Sequence, residues 1–421
     1  MTGLFLPGII LYGQKNDTLT LDFCYRQAEM TYPLAKQTGL LGQSSDLRIR
    51  NIKKNWLPQV NLNGNASLQS EVTQVDIALP GNLPDLGMPE LSKDWYKVTL
   101  DVNQAVYEGH ITFYQKKLES YNLQADQVSV RIELYKLKER INQYYFNILI
   151  LQESKRQLQT TKEQLEAKLK EVESAVANGV MLASNKDALS VELIRIDQLM
   201  TEIDLDRSAA FSILSELTST PIPESAFLVM PQVQLSSFAY ENKRLEIQLF
   251  DIQQDRSGIQ KNMVTTKWNP KFYAYGQAGY GRPGLNFLSN DFSPWWIVGA
   301  KLTWNFWNWN QNRNEKKIYD LQKELIGTQK ETFDKNTRME TDLQIAEILK
   351  LTELLKKDEE IIDLRIRITR SASSQLDNGV ITSSDYISRL TEETMARLAM
   401  EVHRIQLVRA RLSYLFTVGK L

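Results

Sequence analysis

The chain has 421 residues, with 50 Lys and Arg against 51 Asp and Glu, a formal net charge of −1, 42% hydrophobic residues and 24% charged residues. This balance excludes a disordered chain and lacks the basic excess of a nucleic-acid binder, so no nucleic-acid partner is expected. One cysteine, Cys24, excludes an intrachain disulfide and a CxxC redox or zinc site. Two distant histidines, His110 and His403, are thin material for a metal or histidine-based catalytic centre.

In chain order, Gly3 to Tyr12 is a short apolar run followed by Gly13, Gln14 and Lys15. It is similar to the core and cleavage region of a secretory signal peptide, without the usual basic segment before it. Residues 1–14 are therefore read as a signal-peptide remnant, the alternative being an apolar first strand or a buried tail. Cys24 follows Leu21-Asp22-Phe23, which lacks the small residues of a lipoprotein cleavage site, and is read as a buried thiol. No stretch reaches the roughly 20 consecutive apolar residues of a membrane-spanning helix.

Two period-two segments follow, near 57–70 and 95–107. In the first, Val60, Leu62, Gly64, Ala66 and Leu68 alternate with Gln59, Asn61, Asn63, Asn65, Ser67 and Gln69. In the second, Tyr96, Val98, Leu100 and Val102 alternate with Lys97, Thr99, Asp101 and Asn103. No proline lies between Pro89 and Pro221, so the tract after the strands is free to be helical. Leu134, Leu137, Ile141, Tyr144, Ile148, Leu151, Leu158, Leu165, Leu169, Val172 and Val176 form a stripe spaced mostly by three and four, a coiled-coil seam. The spacing predicts a helix hairpin over 109–217 with its tip at 178–180, whose first helix would be roughly 100 Å long at 1.5 Å per residue. The second half repeats the order: strands near 269–281 and 295–308, then a hairpin over 311–418 with its tip at 378–380 and a sparser stripe of Ile348, Leu351, Leu355 and Ile362.

The two halves match at an offset near 200. Trp56-Leu57-Pro58 with Gly64 answers Trp268-Asn269-Pro270 with Gly276. Leu100-Asp101-Val102-Asn103 answers Leu302-Thr303-Trp304-Asn305, and Asn178-Gly179-Val180 answers Asn378-Gly379-Val380. Residues 15–225 and 226–421 are thus read as tandem structural repeats.

Ten-residue segments, apolar on one side and polar on the other, suit a transmembrane β-barrel, and such a barrel must close because every backbone group needs a partner in lipid. The alternative is a soluble sheet packed on a core. The barrel is favoured by the aromatics at strand ends (Trp95, Trp295, Trp296, Trp304, Trp307 and Trp309), expected at the membrane interface. It is also favoured by polar faces rich in Asn, Gln and Ser, as in a wet lumen, and by long Pro- and Gly-rich connections. That lumen face reads as neutral and gives no selectivity. Four strands cannot close a barrel, so copies must join; two, three or four copies all satisfy the physics.

From about Leu19 to Leu421 the chain resembles the TolC family of outer-membrane efflux proteins. The resemblance rests on Leu19-Thr20-Leu21 with Ala28 and Tyr32-Pro33, on Trp56-Leu57-Pro58-Gln59, on Leu302 to Asn310, and on the twin turns Asn178-Gly179-Val180 and Asn378-Gly379-Val380. It implies an α-dominated membrane protein of two tandem repeats, each of two β-strands and a long coiled-coil helix hairpin. As a homotrimer it would form a 12-stranded β-barrel in outer-membrane lipid and an α-helical periplasmic tunnel, belted by a mixed region near Thr218–Tyr240 and the chain ends. The implied role is a passive conduit of a tripartite efflux or type I secretion system, in the cell outer membrane and extending into the periplasm. The turns Asn178, Gly179, Val180, Asn378, Gly379 and Val380 would dock a periplasmic adaptor protein that links the channel to an inner-membrane pump.

The resemblance also implies an acidic gate past the second turn, matched by Asp385; the chain departs from the pattern with Ser388 and Asn185 at the related positions. A plainer role for Asp385 is stabilising the N-terminus of the returning helix, which Ser383 or Ser384 would cap. Gly179 and Gly379 are expected to end their helices in the left-handed conformation whatever binds there. There is no P-loop, nucleophile elbow or metal-ligand cluster, so no enzyme activity, cofactor or metal is expected. The rival reading is a soluble, elongated coiled-coil scaffold.

Overall fold

The computed structural model describes residues 18–72, 91–235, 238–286 and 288–421. The expected signal-peptide remnant over 1–14 lies outside the described residues. The elements run β1 (Thr18–Leu19), α1 (Leu21–Thr31), α2 (Ala35–Lys54), β2 (Gln59–Leu68), β3 (Asp94–Tyr107), α3 (Ile111–Ala177), α4 (Ala183–Thr218), β4 (Phe227–Leu228), α5 (Leu245–Thr266), β5 (Lys271–Arg282), β6 (Ser293–Thr303), α6 (Gln311–Asp377) and α7 (Ser383–Thr417). Strand pair and helix hairpin occur twice, β2–β3–α3–α4 and β5–β6–α6–α7, as a tandem-repeat architecture. Each repeat holds one element more than the sequence pattern showed, a helix, α2 or α5, that leads into the strand pair. No helix among the described residues is long and apolar enough to cross a membrane.

Element ends follow local chemistry. Gly109 (φ +66°) and His110 (φ +72°) are both left-handed, so α3 starts only at Ile111. The last strand stops five residues short of 308, because Thr303 pairs with Lys271, the first residue of β5, and no partner precedes it. Pro270 sits there and has no N–H to offer a ladder.

The described residues fall into two compact units that interleave segments of both sequence halves: those within 18–38, 128–248 and 330–421 form one, and those within 39–127 and 249–329 the other. In the first unit, part of the heptad stripe (Leu137, Ile141 and Ile148) is buried with Tyr145, Phe146, Phe211 and Leu214 against α1 and the small parallel pair β1–β4. The Tyr145 hydroxyl lies 2.8 Å from the Leu19 carbonyl oxygen and 2.6 Å from that of Val229, tying the helix to both short strands. Cys24 is fully enclosed there, and burial pushes its thiol up to about 12, which makes it unreactive. A second cluster, Leu165, Val172, Leu189, Ile196, Leu376, Tyr386 and Leu390, packs the ends of all four hairpin helices together.

The second unit is built on a four-stranded antiparallel sheet in the order β2-β3-β5-β6. Its register aligns the period-two patterns across all four strands. Leu62, Leu100, Ala278 and Trp296 share one row, and Val60, Val102, Gly276 and Val298 another on the same face.

Candidate functional site

The sheet is inside out for a water-soluble protein. Leu62 is 73% exposed and Val298 69% exposed on the apolar face, which nothing among the described residues covers, while Trp295 on the opposite, polar face is 9% exposed. An antiparallel sheet in water normally hides its apolar face against a core. Here Tyr96, Val98, Leu100, Phe272, Tyr280, Trp296 and Leu302 extend the exposed apolar face across β3, β5 and β6. A contiguous patch of this kind marks contact with a membrane or a partner. Ten residues in β2, tilted as barrel strands are, rise about 25 Å, the height of an outer-membrane apolar band.

The polar face is an interlocked surface. Asp101 accepts hydrogen bonds from Asn63, Gln277 and Thr99, joining β2, β3 and β5 side to side. Gly279 faces Trp295 so closely that an added Cβ would sit 2.4 Å from the indole ring, so this glycine makes room for the large side chain. The expected interface aromatics therefore separate. Trp95 and Trp295 lie on the polar face and Trp296 on the apolar face, because adjacent strand residues point oppositely. Trp304, Trp307 and Trp309 follow the last ladder pair and are exposed. The indole N–H of Trp304 donates to the Trp268 carbonyl (2.9 Å), and Trp307 and Trp309 meet edge to face at 5.6 Å. Among the described residues nothing pairs with the outer side of β2 or β6, which are open edges.

The two hairpin tips share one turn chemistry. Gly179 (φ +75°) and Gly379 (φ +71°) are left-handed. The Val180 amide donates to the Ala175 carbonyl (2.8 Å) and the Gly179 amide to that of Val176 (3.0 Å); Val380 to Gln375 (2.8 Å) and Gly379 to Leu376 (2.9 Å) repeat the pattern. This is the Schellman closure of a helix. An added Cβ at either glycine meets nothing within 4 Å, so the backbone angle and not space demands glycine. Val180, Leu182 and Val380 project exposed. Leu182 was not singled out by the sequence, where only the Asn-Gly-Val triplets repeat.

Beyond the turns the repeats diverge. Thr382, not Ser383 or Ser384, caps α7, since Ser383 is already the first helical residue. The Asp385 amide donates to the Thr382 hydroxyl oxygen (3.3 Å), and Asp385 Oδ2 accepts from the Thr382 amide (3.0 Å) and hydroxyl (2.7 Å), a capping box. The Thr382 hydroxyl and amide hold the Asp385 carboxyl below its ordinary value, so its charge persists at neutral pH. Ser388 is exposed one turn further along the same helix. In the first repeat Leu182 stands at the cap and offers no oxygen. Asn185, the counterpart of Asp385, reaches across instead: its Oδ1 accepts from the Ser383 amide at 2.8 Å, joining α4 to the start of α7. Lys168 adds a second tie, donating to Asp377 (2.9 Å) and Glu171 (2.5 Å) and lying 5.8 Å over the Tyr386 ring. Burial works against the Lys168 ammonium charge, but the two carboxylates outweigh it and hold the group above its ordinary value.

Replacing Asn185 with Leu leaves the enclosed Ser383 amide without an acceptor, at a cost of about 1–3 kcal/mol. Hydrogen exchange at the Ser383 amide should then speed by about tenfold or more; an unchanged rate would remove Asn185 from the tip's support.

Three solved structures place this architecture among known folds. The outer membrane protein VceC of Vibrio cholerae is 13% identical, with 95% of this chain and 96% of that chain covered and a TM-score of 0.67. The CmeC outer membrane channel of Campylobacter jejuni is 13% identical, covering 95% and 85%, with a TM-score of 0.68. The open-state MtrE outer membrane channel of Neisseria gonorrhoeae is 15% identical, covering 94% and 88%, with a TM-score of 0.66. No protein-family model and no curated protein matches the chain in sequence. The likeness covers nearly the whole chain and shows that it has the fold of these channels.

Proposed function

We propose that the chain is one subunit of a homotrimeric outer-membrane channel, a passive export conduit serving a tripartite efflux or type I secretion system. The observation that carries this reading is the inside-out sheet with two open edges. Lipid satisfies its apolar face, but lipid cannot satisfy the unpaired N–H and C=O groups of β2 and β6. Because β2 and β6 run in opposite directions, β6 of one copy meets β2 of the next as an antiparallel pair, and a rotation that returns to the start closes the ring. Three copies give twelve strands, enough for a wet lumen walled by the Asn- and Tyr-bearing polar face. The described neighbours being outer membrane channels supports the same placement.

The remaining roles follow from position. Val180, Leu182 and Val380, held forward by Schellman turns, offer small apolar knobs to a periplasmic adaptor, through which an inner-membrane pump supplies the driving force. Asp385 from three copies makes a negative ring at the α7 ends while also capping its own helix, with Ser388 and Asn185 supporting the mouth by hydrogen bonding. The tandem repeats over 15–225 and 226–421 each contribute half of the strands and one hairpin. A soluble coiled-coil scaffold is disfavoured because it leaves the apolar face of the sheet in water.

The experiment is membrane fractionation followed by reconstitution into planar bilayers. The protein is expected in the detergent-extracted outer membrane and to form ohmic pores. Recovery in the soluble fraction, with no conductance from extracted protein, would overturn the reading.

A further inference from the structure

The polar face of the sheet carries more positive charge than its Asn-rich sequence indicates, and the register shows where. Lys97, Lys271 and Lys301 lie on it with a single carboxylate, Asp101. Among the described residues no carboxylate lies within 4 Å of any of the three ammonium groups. Lys97 instead sits 5.4 Å over the Trp295 ring. Asp101 is already engaged by Asn63, Gln277 and Thr99. Around the strand ends Asp94 pairs with Arg282 and Lys267 with Glu315 at 2.6 Å, while Glu108, just past β3, accepts from the Thr112 hydroxyl.

Lys271 and Lys301 are neighbours on this face. Lys271 pairs with Thr303 and Lys301 with Tyr273, so the two lysines are diagonal across β5 and β6, at the strand ends that join α5 and α6. Diagonal positions in an antiparallel pair lie about 7–8 Å apart. Two unpaired like charges this close destabilise one another unless something else is gained by keeping them together.

We propose that this face forms an electropositive collar that favours anionic solutes, such as those bearing carboxylate or phosphate groups, with Lys271 and Lys301 as its selectivity-determining residues. The proposal rests on the pore reading above and deepens it by naming a solute class. Per chain the ladder-paired residues of this face carry three positive charges and one negative, a net of +2, which three copies around one lumen raise to +6. A ring of lysines in a narrow, low-dielectric wall concentrates anions and repels cations. The collar is distinct from the acidic Asp385 ring, so each solute meets two filters of opposite sign.

A whole-pore reversal potential would mix the two filters, so the test must be local. Asn103 is exposed on the polar face, opposite Tyr275 and one same-face step from the row of Lys301. In Asn103→Cys trimers the native Cys24 is fully enclosed and does not compete. The thiol is titrated with an anionic methanethiosulfonate (ethylsulfonate) and a cationic one (ethyltrimethylammonium), each rate divided by that with free mercaptoethanol. The normalised anionic-to-cationic ratio is expected to exceed one by about threefold or more, and to fall to near one in Lys271→Gln/Lys301→Gln trimers. A ratio near one before neutralisation, in trimers that conduct, overturns the collar and leaves the pore standing. A thiol unreactive to both reagents, in protein that forms no pores, overturns the pore reading and the collar with it. Conductance of the double lysine variant separates a lost charge from a lost fold; a conducting variant that keeps the full ratio also overturns the assignment.

Discussion

Arginine at Leu62 and Leu100 should abolish assembly in the outer membrane, while arginine at Asn61 and Asn103 should be tolerated. The two pairs lie on the same strands, one residue apart on β2 and three apart on β3, and occupy opposite faces of the sheet. Leu62 and Leu100 form a central row of the exposed apolar face, and an arginine near the midplane of a lipid-facing barrel wall costs about 2–4 kcal/mol. Two such residues in each of three copies multiply that cost within one assembly. On the polar face the same guanidinium meets water and the Asn61 position lies beside Asp101, so the penalty vanishes. Heat-modifiable trimer bands from isolated outer membranes report the outcome. Equal assembly of both variants, or loss of the polar-face one alone, would show that the faces are assigned the wrong way round.

Gly379→Val should leave trimers and their bilayer conductance intact yet reduce export by about tenfold or more, because a β-branched residue cannot sit easily at φ +71°. The turn must then reopen, giving up the Val380 and Gly379 hydrogen bonds that close α6 and shifting Val380 from its exposed place. The packed cluster behind the tip, with Leu376, Tyr386 and Leu390, does not include the glycine, so folding continues without it. Cross-linking from Val180 to the adaptor should persist more strongly than from Val380, since the first tip keeps its own glycine. Full export by the variant would separate the Gly379 turn from adaptor docking.

Much of this architecture is legible in the sequence because it is written in periods. The period-two strands and the heptad stripe each repeat a simple spacing many times, and proline's absence from the long tracts removes the main obstacle to helix. What was not legible depends on partners far away in the chain. Tyr145 and Phe146 lie off the heptad stripe and are fully buried because α1 and the β1–β4 pair pack on that side of α3, widening its apolar face. The helices α2 and α5 lack a clear stripe; α2 buries only Ser45 and leaves Leu40 and Leu47 exposed, so no apolar period announced it.

The tip residues show the same limit at close range. Asp385 and Asn185 occupy equivalent places in the repeat, and sequence alone assigns them one role. The difference lies three residues earlier, where Thr382 can accept the first-turn amide and Leu182 cannot, so Asp385 closes its own helix and Asn185 caps its neighbour's. Likewise, the lumen face reads as neutral when each strand is taken alone. Only the pairing of β5 with β6 sets Lys271 beside Lys301.

The proposed channel requires copies of this chain to pair edge to edge, and the mass of the detergent-extracted particle measures that directly. Native mass spectrometry with the detergent stripped in the gas phase should give three times the mass of the single processed chain, with no stable monomer. A monodisperse single-chain species that stays folded in buffer without detergent would mean that β2 and β6 need no neighbours and that no channel is built this way.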